Sequence, residues 1–289
     1  MKNIIKDQVF GQERALYNIQ NKTLINVSFK GEEDGESALK EARNCILENC
    51  TFDLRYPLWH VDTYSIKNSF FSANSRAPLW YCLIGNIISC EIKSPKAVRE
   101  STNLVIDKSI ILSEEFGWKS TDVTLLNSEI ESSYLFFDSS KIKLENVMMK
   151  GKYSFQYIKD LVITNSNLDT KDAFWHSENV YVKDSVIKGE YLGWYSKNVT
   201  LENCVIIGTQ PLCYCESLKL INCQMIDTDL AFEYSDVLAT IQGDILSIKN
   251  PRSGSITCDN VLEIVSDNNI YDSNVSIIER NKKYEKLAS

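Results

Sequence analysis

The chain has 289 residues, 44% of them hydrophobic, with a net charge of −8 and a pI near 5.0. That is enough apolar material for a continuous core, and five Pro and eleven Gly are too few for a disordered chain. The acidic balance, without clustered Lys or Arg, argues against nucleic acid and anionic membrane as partners.

Residues 1–10 lack the apolar stretch of a signal peptide, and no run of about 18 apolar residues follows, so the expected location is cytoplasmic. The nine Cys then read as free buried thiols in a reducing compartment. Residues 1–44 read as two irregular coils. They share an echo between Gly11-Gln12-Glu13-Arg14-Ala15-Leu16 and Gly35-Glu36-Ser37-Ala38-Leu39-Lys40.

From residue 45 a motif recurs: an aliphatic residue, any residue, Asn or Asp, Ser or Cys, any residue, then an aliphatic residue or Phe. It appears as Leu47-Glu48-Asn49-Cys50-Thr51-Phe52 and again as Ile66-Lys67-Asn68-Ser69-Phe70-Phe71. Asn127, Asn146, Asn165, Asp184, Asn203 and Asn222 fill the same slot at steps of 19, as do Ser89 and Lys108 upstream. Steps of 21, from Asn68 to Ser89 and from Asn222 to Gly243, read as loop insertions. Apolar residues alternate within each coil, as Leu161 and Ile163 do, which is the period of short strands.

A repeat this short cannot be a helical repeat, and it carries the wrong pattern for a leucine-rich one. The predicted fold is all-β: a right-handed parallel β-helix of about eleven coils, forming a rod of roughly 50 Å. One domain is expected over residues 1–289, with regular coils over 45–249, an irregular coil from 250, and a charged tail or cap over 279–289. Asn and Asp suit the slot because they tolerate the left-handed backbone of a tight corner and can hydrogen-bond along the rod. Beside them runs a column of small residues, including Cys50, Ser69, Cys90, Ser109, Ser128, Cys204 and Cys223, expected to face inward where the corner narrows the core.

Each coil carries a third apolar segment, expected to be a strand. One column of it reads Trp59, Trp80, Arg99, Trp118, Phe137, Gln156, Trp175, Trp194, Cys213, Phe232. Ser120, Ser139, Ser177, Ser196 and Cys215 lie two places further on, so if they face inward the Trp column is expected to face inward too. An outward platform for sugar rings is the alternative, and Arg99 and Gln156 suit it better; a buried Arg99 would need Glu100 or Glu41 as partner.

The neighbouring column reads Glu41, His60, Tyr81, Glu100, Lys119, Asp138, Tyr157, His176, Tyr195, Tyr214, Glu233, and is expected to face solvent. Tyr134, Tyr153, Tyr191, Phe136, Phe155 and Phe174 are expected to flank it. This is the candidate site. Glu100, Lys119, Asp138, His176, His60 and Glu41 are the candidate catalytic groups, with Glu100 and Asp138 about 10 Å apart across two coils as an acid–base pair. Tyr157, Tyr195, Tyr214, Tyr153, Tyr191, Glu233 and Arg99 are the candidate substrate contacts. A solvated sheet face with cross-coil charge pairs is the simpler alternative.

Metal and cofactor sites are not expected. His60 and His176 stand about six coils apart, no Cys-x-x-Cys pair exists, and Cys213-x-Cys215 has no second pair. No clustered Asp, phosphate-binding glycine loop or Gly-x-Ser-x-Gly elbow occurs.

Four segments resemble a bacterial family of unknown function numbered 3737: Asp34-Gly35-Glu36-Ser37-Ala38-Leu39-Lys40-Glu41, Gly208-Thr209-Gln210-Pro211-Leu212-Cys213-Tyr214, Asp229-Leu230-Ala231-Phe232-Glu233-Tyr234-Ser235 and Ser247-Ile248-Lys249-Asn250-Pro251. The resemblance spans about residues 8–270. It implies a pectate-lyase-like β-helix and brings no activity. The Asp-rich calcium or catalytic sets of pectate lyases and polygalacturonases do not map onto this chain. Two functions are carried forward. The first is a carbohydrate-binding or carbohydrate-active protein, glycosidase- or lyase-like if an enzyme, acting on a small intracellular saccharide. The second is a scaffold or homo-oligomer module that uses the Tyr- and Phe-rich face.

Overall fold

The computed structural model describes residues 3–31, 35–267, 270 and 273–281. Among these residues every strand pairing is parallel, and the only helix is a short 3-10 turn at Ala73–Ser75. Fifteen strands stack into one ladder, from Asn3–Lys6 to Asn274–Glu279, making fourteen turns of a β-helix. Around each corner a second ladder stacks shorter strands, beginning at Val9–Phe10 and reaching the far half of Glu216–Ile226.

The turn count exceeds the expected eleven because both ends continue the first ladder. Asn3 pairs with Lys22, Thr23 with Ile46, Asp236 with Ser253, and Ser253 with Asn274. The Gly11 and Gly35 echo is likewise two stacked coils, with Leu16 N–H donating to the Ala38 carbonyl at 2.8 Å. The strand Asn274–Glu279 is a full rung, so the expected tail does not begin at Glu279; residues 282–289 lie outside the described set.

The slot that recurs in each central coil is the corner between the two ladders. Asn127, Asn146, Asn165, Asp184, Asn203, Asn222, Ser89 and Lys108 all hold φ between 46° and 57°. Side-chain hydrogen bonds join two stretches of the column: Asn146 donates to Asn127 at 2.9 Å, and Asn203 to Asp184 and Asn222 to Asn203, both at 2.9 Å. The left-handed slot ends at Asn222, whose side-chain oxygen accepts from the Gln242 amide of the next coil. The register then shifts so that Ile241 lies beside Cys223, and Gly243 does not occupy the slot.

A left-handed residue turns the next N–H off the ladder and into the rod, where it needs an acceptor. The small inward residue of the following coil supplies one. Cys90 N–H donates to the Ser109 hydroxyl at 3.1 Å, and Ser109 N–H donates to Ser128 at 3.0 Å. Ser or Cys is therefore favoured by hydrogen bonding as well as by size.

The core is continuous along the rod. On the second ladder Phe10, Phe29, Phe52 and Phe71 stack at 5.8, 5.3 and 4.4 Å. Aliphatic residues continue the column, among them Ile92, Ile111, Ile130, Leu168 and Ile187. All nine Cys are free and buried.

The third segment is not a regular strand. It forms short pairings such as Leu79–Trp80 with Val98–Arg99, and elsewhere it runs as turns. Its backbone alternates into the left-handed region, as at Tyr153, Phe155 and Tyr157 with φ of 54°, 60° and 58°.

Candidate functional site

That alternation decides which side chains point out. Ser120, Ser139, Ser177, Ser196 and Cys215 are buried, as expected. The Trp column two places earlier does not follow them inward: Trp59, Trp80, Trp118, Trp175 and Trp194 are half-buried on the outer surface. The residue between, such as Lys119 with φ 52° or Tyr195 with φ 60°, is left-handed, and period 2 fails across it. Inward positions instead fall one residue before the Trp column, at Leu58, Leu79, Val98, Phe136, Phe155 and Phe174. The three Phe residues expected beside the solvent column are thus core residues.

The indoles form an outer shelf. Trp59 stacks on Trp80 at 5.5 Å and 3°, and Trp175 on Trp194 at 5.4 Å and 6°. Each indole N–H donates to a carbonyl of the next coil, as Trp118 does to Tyr134 and Trp194 to Gln210, both at 2.8 Å. Gln156 takes the same role, donating to the Asp172 carbonyl at 3.1 Å. Arg99 lies between the Trp80 and Trp118 rings, 4.6 and 4.8 Å from their centroids. Its ionic partner is Glu115 at 2.7 Å, which also holds Lys96 at 3.2 Å; neither Glu100 nor Glu41 fills that role.

The neighbouring column does face solvent, and it has three parts. At one end the half-buried Glu41 accepts from the Tyr17 hydroxyl at 2.7 Å, and His60 stacks on Tyr81 at 4.8 Å and 14°. In the middle Glu100, Lys119 and Asp138 occupy successive rungs, all exposed, and no ion pair joins them among the described residues. At the other end Tyr157, His176, Tyr195 and Tyr214 stack at 5.0, 5.1 and 4.7 Å, with interplanar angles of 9° to 11°.

The ladder ends differently from the sequence assignment. The coil after Tyr214 has one extra residue, so Tyr214 N–H bonds the Glu233 carbonyl and the Cys215 N–H bonds Ser235. Glu233 therefore sits in the Trp column, Phe232 is buried, and Tyr234 extends the outer ladder at 5.6 Å from Tyr214. Glu233 holds Lys249 at 3.2 Å and accepts from the Tyr214 hydroxyl at 3.4 Å. Burial, and secondarily the charge of Glu233, pushes the Tyr214 hydroxyl up to about 12, so it stays a donor at neutral pH.

Tyr153 and Tyr191 belong to a separate column at the corner. Tyr153 stacks on Tyr134 at 5.2 Å, and Tyr191 packs edge-on against Trp194 at 5.4 Å.

Sequence reasoning missed a groove on the opposite side of the corner. It lies on the second ladder, has a volume of about 490 Å³, and is lined by Ile110, Leu112, Met148, Glu129, Glu131 and Lys150 among others. A polar extension of about 550 Å³ shares Leu112, Glu131, Lys150 and Asp169 with it. The available signal was the set of apolar residues at outward positions, Ile110, Leu112 and Met148, which a half-buried strand should keep polar.

Among the described residues no group of three or more His, Cys, Asp or Glu is placed to hold a metal ion, and no helix is long and apolar enough to cross a membrane.

Ladders, left-handed corners and stacked columns together define a parallel β-helix protein. The family model described as a protein of unknown function, DUF3737, matches residues 3–279, so the chain belongs to that family. No curated protein matches the sequence. Among solved structures, PfbA, a surface adhesin of Streptococcus pneumoniae, is 6% identical with a TM-score of 0.50, over 96% of this chain and 84% of that one. A tailspike protein mutant of E. coli bacteriophage HK620 is 10% identical with a TM-score of 0.43, over 89% of this chain and 61% of that one. A mannuronan C-5 epimerase A-module of Azotobacter vinelandii is 11% identical with a TM-score of 0.33, over 96% of this chain and 89% of that one. At 6% identity the likeness to the adhesin is one of fold.

Proposed function

We propose that this protein binds an extended saccharide along the outer ladder from Glu100 to Tyr214, without cleaving it. The observation that carries this reading is the row of polar ring edges at a steady spacing of 4.7 to 5.1 Å from Tyr157 to Tyr214, exposed at Tyr157, His176 and Tyr195 and half-buried at Tyr214. A linear chain of pyranose rings repeats its hydroxyls on a similar scale. The aromatic faces are used up in stacking on one another, so recognition falls to the phenol hydroxyls and imidazole nitrogens at the ring edges.

Glu100, Lys119 and Asp138 are assigned to the same strip as polar contacts. Water reaches all three side chains, which weakens their suitability as an acid–base set. Their two-rung separation of about 10 Å also sits at the upper edge of the range for paired glycosidase carboxylates.

A glycan array with the wild-type chain and the Tyr195→Phe variant tests the proposal. Binding to a neutral or acidic oligosaccharide is expected. Tyr195→Phe keeps the stack and removes one hydroxyl, so affinity should fall about 5- to 10-fold, the equivalent of one hydrogen bond. Absence of binding across the array sinks the reading. Release of reducing ends or unsaturated uronates from a bound glycan would overturn its non-catalytic part.

A further inference from the structure

We infer that the groove on the second ladder is an interface between two copies of this chain, packed antiparallel about a two-fold axis that runs along the strands. One outward column of the groove reads Leu112, Glu131, Lys150, Asp169, Lys188, Ile207 on six successive rungs. Read in one direction the order is apolar, negative, positive, negative, positive, apolar. Read in reverse, every charge meets its opposite.

A two-fold axis parallel to the strands reverses the rung order and keeps each column facing itself, as an isologous contact requires. Centred between Lys150 and Asp169, it sets Lys150 against the partner's Asp169, Glu131 against the partner's Lys188, and Leu112 against the partner's Ile207. Glu131 and Lys150 are neighbours on the ladder, yet no ion pair joins them among the described residues. Asp169 and Lys188 do approach each other, at 3.7 Å, with both side chains more than half exposed and free to re-pair across an interface. The apolar side chains are available as well: Ile110 is 49% exposed, Leu112 42% and Met148 56%. Exposed apolar residues in a concave strip, edged by accessible charges of both signs, are the features of a protein interface. The outer Tyr–His ladder lies on another side of the rod, so this inference is independent of saccharide binding.

Sedimentation of the full-length chain tests it with a charge swap. Wild type is expected to dimerise, more weakly as salt rises. Glu131→Lys sets Lys against Lys188 twice in a homodimer, and Lys188→Glu sets Glu against Glu131 twice; each should weaken self-association at least about tenfold. An equimolar mixture of the two variants restores both pairs and should dimerise like wild type. A wild-type chain that stays monomeric, a dimer indifferent to both substitutions, or a mixture that stays dissociated each overturns the inference. Glu131→Gln and Lys188→Gln remove charge without reversing it. They serve if circular dichroism shows that a reversal disturbs the fold, and they too must weaken the dimer.

Discussion

At the residue scale, burial holds several of the rod's interior thiols protonated. Burial pushes the thiols of Cys82, Cys213 and Cys215 up to about 12, so at neutral pH almost none is thiolate. Iodoacetamide should leave these three unlabelled in the native protein and label them once it is denatured, as read by peptide mass spectrometry. Asp236 is the opposite case. Arg252 donates to its carboxylate at 2.7 Å, and Ser253 at 2.5 Å, which together hold its pKa below the usual range. Because the folded pKa is lowered, the stabilisation is present above the ordinary Asp value of about 3.9 and is lost as pH falls through the folded value. Asp236→Asn should lower stability at neutral pH and flatten the acid limb of a Tm-against-pH curve below about pH 4. The corner Asn residues were legible in the sequence because their side chains also bond along the rod, as Asn146 does to Asn127 and Asn222 to Asn203, and that second demand keeps Asn or Asp recurring in the slot. The direction of the Trp column was not. Its left-handed neighbour is occupied by His, Tyr, Glu, Lys or Asp without preference, and an alternation rule has no means of detecting it.

At the scale of the element, the strength of a rung comes from its contact with the rungs above and below. Phe52 has a ring on either side, at 5.3 and 4.4 Å, and is fully buried. Phe52→Ala should therefore cost about 3–5 kcal/mol, as for other buried aromatic deletions, and lower the denaturant midpoint accordingly. Just after the second-ladder strand Val186–Lys188, Gly189 holds φ +155° and passes so close to the previous coil that a Cβ would sit 1.3 Å from the Thr170 carbonyl oxygen. Gly189→Ala must push two rungs apart, and thermal unfolding should show a loss at least as large as an ordinary helix or strand Gly penalty of about 1 kcal/mol. The central coils could be read from spacing because the corners there keep a constant length. The terminal coils could not. Asp236 pairs with Ser253 at a shorter step than the central one, and Thr23 pairs with Ile46 at a longer step. A search for a fixed period passes over both. The extra residue between Cys213 and Glu233 misplaced the end of the candidate site for the same reason.

At the scale of the whole molecule, each coil contacts chiefly its two neighbours, with an exception at the C-terminal end where Arg280 donates to the Ile241 carbonyl two rungs away at 2.9 Å, so stability is close to a sum of coil and interface terms. Every coil presents nearly the same upper and lower surface. Arg43 pairs with Asp62 just as Asp62 pairs with Leu83, although the second coil is the longer of the two. The rod is consequently a gauge whose length is set by how many times the pattern is copied. Duplicating residues 43–61 in tandem should give a folded chain longer by one layer, about 4.8 Å, measurable by small-angle X-ray scattering. Such a chain would change in reach while its two outer surfaces kept their spacing. Gene duplication by whole coils is thus a route by which this architecture can alter the span of what it touches without redesigning how it touches it.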